Sequence, residues 1–137
     1  MTETQTTRGT SETIDEFFAR FGAGDRAGML ALFAEDADLM VAGAGIVPWT
    51  GRRRGHAEIG EFLDSVLNDV KTERFDIDRI LVERDGCVVL GSFAHRILRT
   101  GKIFAGPFAL HVAVRDGLIR TYHMFEDSYA ASVAFTE

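Results

Sequence analysis

The amino-acid sequence predicts one domain of the α+β class, in which helices come first and an antiparallel sheet follows. Apolar residues recur with the period of a helix before about residue 75, and they alternate with the period of a strand after it. Three dipeptides that favour tight turns, Asp85-Gly86, Thr100-Gly101 and Asp116-Gly117, divide this second half into a meander of hairpins. A chain of 137 residues fits a single domain.

Three helices are predicted in the first half by apolar spacing and capping residues. In the first, Thr10 or Ser11 is available as N-cap, and the helix ends at a glycine-rich break after Phe21. Asp25 can cap a second, short helix that extends to Phe33. The third helix keeps the 3.6-residue period over three turns through Ile59, Phe62, Leu63, Val66, Leu67 and Val70. We expect residues 1–10 to form a flexible tail and residues 11–137 to form the domain.

Strands and one further helix complete the prediction. A strand is expected around Leu39 to Ala42, followed by a loop of glycine, alanine and proline up to Gly51. The arginine run of residues 52–54 is read as a solvated turn, with a clamp for a substrate carboxylate as the alternative. Asp127 and Ser128 begin a short C-terminal helix that runs through Phe135.

Composition excludes several function classes. The net charge of −6 argues against a nucleic-acid or anionic-membrane surface. The longest apolar runs fall short of the roughly 20 residues that a membrane span needs, and the polar N-terminus does not resemble a signal peptide. The single cysteine, Cys87, excludes an intramolecular disulfide. We therefore expect a cytoplasmic protein with no nucleic-acid or membrane partner.

The outer face of the predicted sheet is apolar, although helices can cover only the other face. Side chains alternate between the two faces of a strand, and in the long strand of residues 88–97 both sets are apolar enough to be partly buried. A face of this kind is typical of a subunit interface, so the sequence predicts a homodimer.

Four segments resemble the nuclear-transport-factor-2-like superfamily. They are AGDRAGMLALFAEDADL after the first helix, GRRRGHAEIGEFL at the third, VRDGLI at the last hairpin and FEDSYAASVAF at the end. The resemblance implies a cone-shaped, curled antiparallel sheet wrapped around the N-terminal helices (a cystatin-like roll) that encloses an apolar pocket. The superfamily contains ketosteroid isomerases, SnoaL-like polyketide cyclases and limonene-epoxide hydrolases, so the fold by itself does not give the reaction.

The resemblance to the ketosteroid isomerases does not extend to their catalytic residues. Their oxyanion-hole tyrosine falls on Phe17, their general base on Val41 and their protonated aspartate on Leu110. These side chains can neither take a proton nor donate a hydrogen bond. Steroid isomerisation by the Tyr/Asp/Asp mechanism is therefore excluded.

The same resemblance implies which residues face the pocket, because side chains alternate along each strand. It leaves on the outer face Leu90, Ala109, His111, Ala113 and Met124. Two histidines, His95 and His123, are expected to point into the pocket, with His123 as the general acid and base. Asp127 could orient His123, although a helix cap is the simpler role. The expected substrate-binding wall comprises Phe17, Trp49, Phe93, Ile97, Leu110, Val112, Thr121 and Phe125.

The sequence thus predicts a cofactor-free SnoaL-like enzyme that acts on a small hydrophobic metabolite by cyclisation, isomerisation or hydration. No metal is expected, because the two histidines lack a third ligand. The alternative is a non-catalytic module of the same fold, which binds a small molecule or mediates dimerisation.

Overall fold

The computed structural model describes residues 9–137, which form four helices and six strands. In chain order they are α1 (Thr10–Gly22), α2 (Arg26–Ala31), β1 (Phe33–Val41), β2 (Gly51–Arg54), α3 (Gly55–Asn68), β3 (Val70–Glu83), β4 (Gly86–Ile97), β5 (Ile103–Arg115), β6 (Leu118–Glu126) and α4 (Ser128–Phe135). The predicted α+β class is confirmed.

All six strands belong to one curled, open sheet in the order β2-β1-β6-β5-β4-β3. Strands β3 to β6 form the predicted antiparallel meander. The exception to the antiparallel expectation is β1, which pairs in parallel with β6. This pairing joins two segments about 80 residues apart, so no turn signal in the sequence announces it.

The first helix begins inside the segment that the sequence assigned to a tail. Its N-cap is Gly9 rather than Thr10 or Ser11, and the backbone N–H of Gly9 donates to Glu12 at 2.8 Å. Thr10 is buried, and its hydroxyl donates to the carbonyl of Arg84 at 2.9 Å. Residue 10 therefore belongs to α1, while residues 1–8 of the predicted tail lie outside the described residues.

Two aspartates cap helices as predicted. Asp25 accepts a hydrogen bond from the backbone of Gly28 at 2.9 Å, and Asp127 accepts one from Ala130, also at 2.9 Å. The predicted helix ends were less accurate, because Phe33 already lies in β1 and Val70 in β3. Both remain buried in the common core, so packing rather than local periodicity decides where these helices end.

The arginine run forms strand β2 at the edge of the sheet rather than a turn. The Arg52 guanidinium lies 3.3 Å from the Asp38 carboxylate on β1. Arg53 turns back and donates to the carbonyls of Pro48, Trp49 and Thr50 at 2.9 to 3.2 Å. These three hydrogen bonds fix the loop that carries Trp49.

The hydrophobic core lies between α1 and α3 and the concave face of the sheet. Ile14, Ile59 and Leu63 on the helices meet Leu39 and Leu110 on the strands, and all five side chains are fully buried. This arrangement leaves space toward one end of the concave face, where the candidate site lies.

Candidate active site

An apolar cavity lies between the concave face of the sheet and helices α1 and α3. A volume of about 60 Å³ is accessible in it to the centre of a water-sized sphere. Most of its wall is aromatic or aliphatic, but four side chains bring polar atoms to it: Trp49, His95, Tyr122 and Glu126. An apolar pocket with a few converging polar groups is the usual form of a small-molecule site.

A β-bulge in β6 determines which of its residues reach this cavity. On β5, Ala113 and Val114 are consecutive, but their partners on β6 are Thr121 and Ile119, so Arg120 is an extra residue. The bulge reverses the parity of every later residue on the strand. Tyr122, Met124 and Glu126 therefore line the cavity.

The predicted inward orientation of Thr121, His123 and Phe125 is consequently wrong. None of the three lines the cavity, and the Phe125 side chain is 57% exposed. Met124, which the sequence assigned to the outer face, lies at the cavity instead. The prediction extended one alternation through the strand, whereas the bulge interrupts it.

His123 lies on the outer face of the sheet in a polar cluster. Its Nε2 is 3.4 Å from the Asp38 carboxylate, and its ring centroid is 6.2 Å from that of His111 on the neighbouring strand. Asp127 does not orient this ring, because its carboxylate caps α4. His123 therefore lies on the other face of the sheet from the cavity and cannot exchange a proton with a molecule bound there.

The other predicted wall residues divide into two groups. Phe17, Trp49, Phe93 and His95 line the cavity, as expected. Ile97, Leu110 and Val112 are fully buried but pack in the core away from the cavity surface.

Glu126 is the acidic group of the cavity. The indole N–H of Trp49 donates to its Oε2 at 2.8 Å. Burial raises the pKa of Glu126 from 4.5 to about 7, although the Trp49 hydrogen bond acts in the opposite direction. The carboxyl is therefore present in both protonation states near neutral pH.

His95 also lines the cavity, with its ring centroid 6.4 Å from that of Trp49. Its Nδ1 is 2.9 Å from the hydroxyl of Thr72, and its ring stacks on Phe93 with a centroid separation of 4.3 Å. Burial lowers the pKa of His95 to about 4. At neutral pH it can therefore exchange hydrogen bonds with a ligand without carrying charge.

Tyr122 brings a hydroxyl group close to Glu126. Its ring packs among Phe17, Phe33 and Phe62, with centroid separations of 5.6 to 5.9 Å. Burial, followed by the charge of Glu126, raises the pKa of the Tyr122 phenol, which therefore remains a hydrogen-bond donor.

The arrangement can carry out general acid and base chemistry. A carboxyl with a pKa near the working pH can accept a proton in one step and return it in the next. Sequence reasoning missed Glu126 and Tyr122, because their inward orientation depends on the bulge at Arg120. Neither glycine nor proline marks that position, so the sequence carries no local signal for it.

Over residues 9–137, the His, Cys, Asp and Glu side chains form no cluster of three or more that could hold a metal ion. In the same part of the chain, no helix is both long enough and apolar enough to cross a membrane.

The fold and cavity define a class of small α+β proteins with a curled sheet, and comparisons identify the family. The SnoaL-like domain family matches residues 14–122, so the chain belongs to that family. No curated protein matches the chain.

Solved structures share the fold over almost the whole length. An NTF2-like protein from Burkholderia xenovorans is 25% identical, with a TM-score of 0.83 over 92% of this chain and 95% of its own. TerC, co-crystallised with polyporic acid, is also 25% identical, with a TM-score of 0.79 over 91% and 96%. A protein from Mesorhizobium loti described as a SnoaL-like polyketide cyclase is 17% identical, with a TM-score of 0.67 over 83% and 96%.

Proposed function

We propose that this protein is a cofactor-free enzyme that acts on a small hydrophobic metabolite by general acid and base catalysis, with Glu126 as the group that moves the proton. The reaction class is cyclisation, isomerisation or hydration, each of which transfers protons between carbon and oxygen atoms. The observation that carries the proposal is a half-buried carboxyl that Trp49 holds at the wall of an apolar cavity, where desolvation raises its pKa to about 7.

The residues around Glu126 have complementary roles in this proposal. The Tyr122 hydroxyl donates a hydrogen bond to a substrate oxygen on which negative charge develops. His95 is neutral and supplies a second polar contact in the cavity. Trp49 is a positioning residue, because its N–H holds one carboxyl oxygen and leaves the other toward the cavity.

This assignment replaces the histidine mechanism expected from the sequence. His123 lies outside the cavity, and the low pKa of His95 makes it a weak base. The similarity to TerC and to the protein described as a polyketide cyclase supports a small organic substrate, although the fold alone is compatible with many reactions.

Proton transfer can be measured without knowledge of the natural substrate. We would incubate the protein with 2-heptanone in D₂O near neutral pD and follow the loss of α-hydrogen signals by proton NMR. Wild type should exchange these hydrogens faster than buffer does, and Glu126→Gln should reduce the protein-dependent rate by about 10²-fold or more. Glu61→Gln, which alters an exposed carboxyl on α3, is the matched control and should leave the rate unchanged.

The second candidate is a non-catalytic module that binds a small molecule, which the predominantly apolar wall of the cavity favours. It predicts saturable binding of 2-heptanone without any exchange above the buffer rate. An equal exchange rate in wild type and in Glu126→Gln would likewise contradict the assignment of Glu126.

A further inference from the structure

A second apolar space adjoins the active-site cavity on its solvent side. It is a groove of about 450 Å³ that runs between the end of α1, the end of α3 and the start of β3. Five residues line both spaces: Phe18, Phe21, Val66, Val70 and Phe75. The cavity and the groove therefore adjoin, with these five side chains between them.

The volumes determine what each space can hold. The inner cavity, at about 60 Å³, is much smaller than the roughly 150 Å³ cavity that accommodates benzene in another protein. A small polar head such as a hydroxyl or carbonyl group fits there, but an entire hydrophobic metabolite does not. The remainder of a larger ligand lies outside this cavity, and the groove is the adjoining space with room for it.

The lining of the groove is suited to an uncharged, apolar body. Among the described residues that line it, Thr72 carries the only polar side chain and none is charged, while backbone groups contribute further polar surface. The rings of Phe18 and Phe21 lie 5.4 and 5.6 Å from that of Phe75, and all three remain half-buried. Thr72 also connects the two spaces, because its hydroxyl is hydrogen-bonded to His95 in the inner cavity.

We infer that the natural ligand is an elongated amphiphile, with a small polar head that reaches Glu126 and an apolar body that lies in the groove between α1, α3 and β3. The inference rests on the proposed function only for the position of the head. Occupation of the groove by the apolar body is independent of any catalysis.

Trp49 provides a direct binding signal, because it is the only tryptophan of the chain and lines the inner cavity. We would titrate the protein with 1-butanol, 1-hexanol and 1-octanol and follow tryptophan fluorescence. If each added methylene group is buried in the groove, Kd should fall about fourfold per methylene. A Kd that does not depend on chain length would overturn the inference.

Variants of Leu67 distinguish the groove from nonspecific apolar binding. Leu67 lines the groove but not the inner cavity, so its replacement leaves Glu126 and its neighbours unaltered. Leu67→Gln and Leu67→Ala should each weaken 1-octanol binding by at least about fourfold, the effect of one methylene group, and should change 1-butanol binding by less than about twofold.

Leu98→Gln and Leu98→Ala are the matched controls, because Leu98 is exposed beside a different depression of the surface. They should bind both alcohols as wild type does. Equal weakening by the Leu67 and Leu98 variants, or no weakening by either, would contradict the groove as the binding site.

Glu126→Gln separates this inference from the proposed function. If Kd still depends on alcohol chain length in that variant but wild type does not exchange the hydrogens of 2-heptanone, the groove is supported as a binding site and the catalytic proposal fails. If wild type exchanges the hydrogens of 2-heptanone but its Kd does not depend on alcohol chain length, the catalytic proposal is supported and the groove is refuted as a binding site.

Discussion

Replacement of Glu126 by glutamine should stabilise the folded protein at alkaline pH and have little effect at about pH 4.5. The pKa of this carboxyl is about 7 in the folded protein and 4.5 as an ordinary value, so the folded state binds the proton more tightly. The stability that this proton contributes is complete below the unfolded pKa and is lost as the pH rises through about 7. Glutamine resembles the protonated carboxyl in shape, and its carbonyl can accept the Trp49 hydrogen bond, but it never ionises.

The expected magnitude follows from the two pKa values. The interval from 4.5 to about 7, at about 1.4 kcal/mol per pH unit, corresponds to about 3 kcal/mol. Above about pH 8 wild type bears the full cost of holding an ionised carboxyl in a desolvated position of the folded protein, whereas the glutamine variant has no charge there. Such a difference is a substantial fraction of the typical 5–15 kcal/mol total stability of a domain.

Urea unfolding followed by circular dichroism measures the effect at about pH 4.5, 7 and 9. The free energy of unfolding of Glu126→Gln minus that of wild type should rise from near zero to about 3 kcal/mol across this range. Glu61→Gln, at an exposed carboxyl, should show a constant difference. A difference that does not change with pH for Glu126→Gln would refute the raised pKa.

Three further predictions concern other parts of the molecule. Because the pKa of His95 is depressed, the free energy of unfolding of wild type should fall by up to about 3 kcal/mol as the pH decreases from 6.5 to about 4, whereas that of His95→Gln should not show this fall. NMR titration of the His95 ring should give a midpoint near 4. Asp127→Ala removes the cap of α4 and should lower the free energy of unfolding by about 1 kcal/mol in urea titrations. We also propose a homodimer through the outer sheet face, where Phe125 is 57% exposed. Sedimentation should give twice the 15.1 kDa chain mass for wild type and a single chain mass for Phe125→Asp, and a monomeric wild type would contradict this.

The helices and the meander were predictable because local signals determine them. Apolar periodicity, the Asp25 and Asp127 caps and the glycine-containing turns all act within a few residues of one another. These signals also fixed the α+β class. The edge strand β2 was missed, because an arginine run has no strand pattern until β1 supplies a partner.

The candidate site was only partly predictable because its key orientation depends on one extra residue. Before the bulge at Arg120, parity gave correct orientations, and on β4 it placed Phe93 and His95 correctly. After the bulge, the side chains of β6 point to the face opposite to the predicted one. Tyr122 and Glu126 therefore line the cavity in place of His123. Both sets of β6 side chains contain apolar and polar residues, so alternation alone cannot detect the shift.

Ionisation of the Glu126 carboxyl near neutral pH is central to the proposed mechanism, and the indole of Trp49 lies beside that carboxyl. Because Trp49 is the only tryptophan and donates to Glu126 at 2.8 Å, ionisation of the carboxyl should change its fluorescence. A titration from about pH 5 to 9 should show an inflection near pH 7 in wild type and none in Glu126→Gln. Constant emission across this range in wild type, or the same inflection in both proteins, would contradict the central claim.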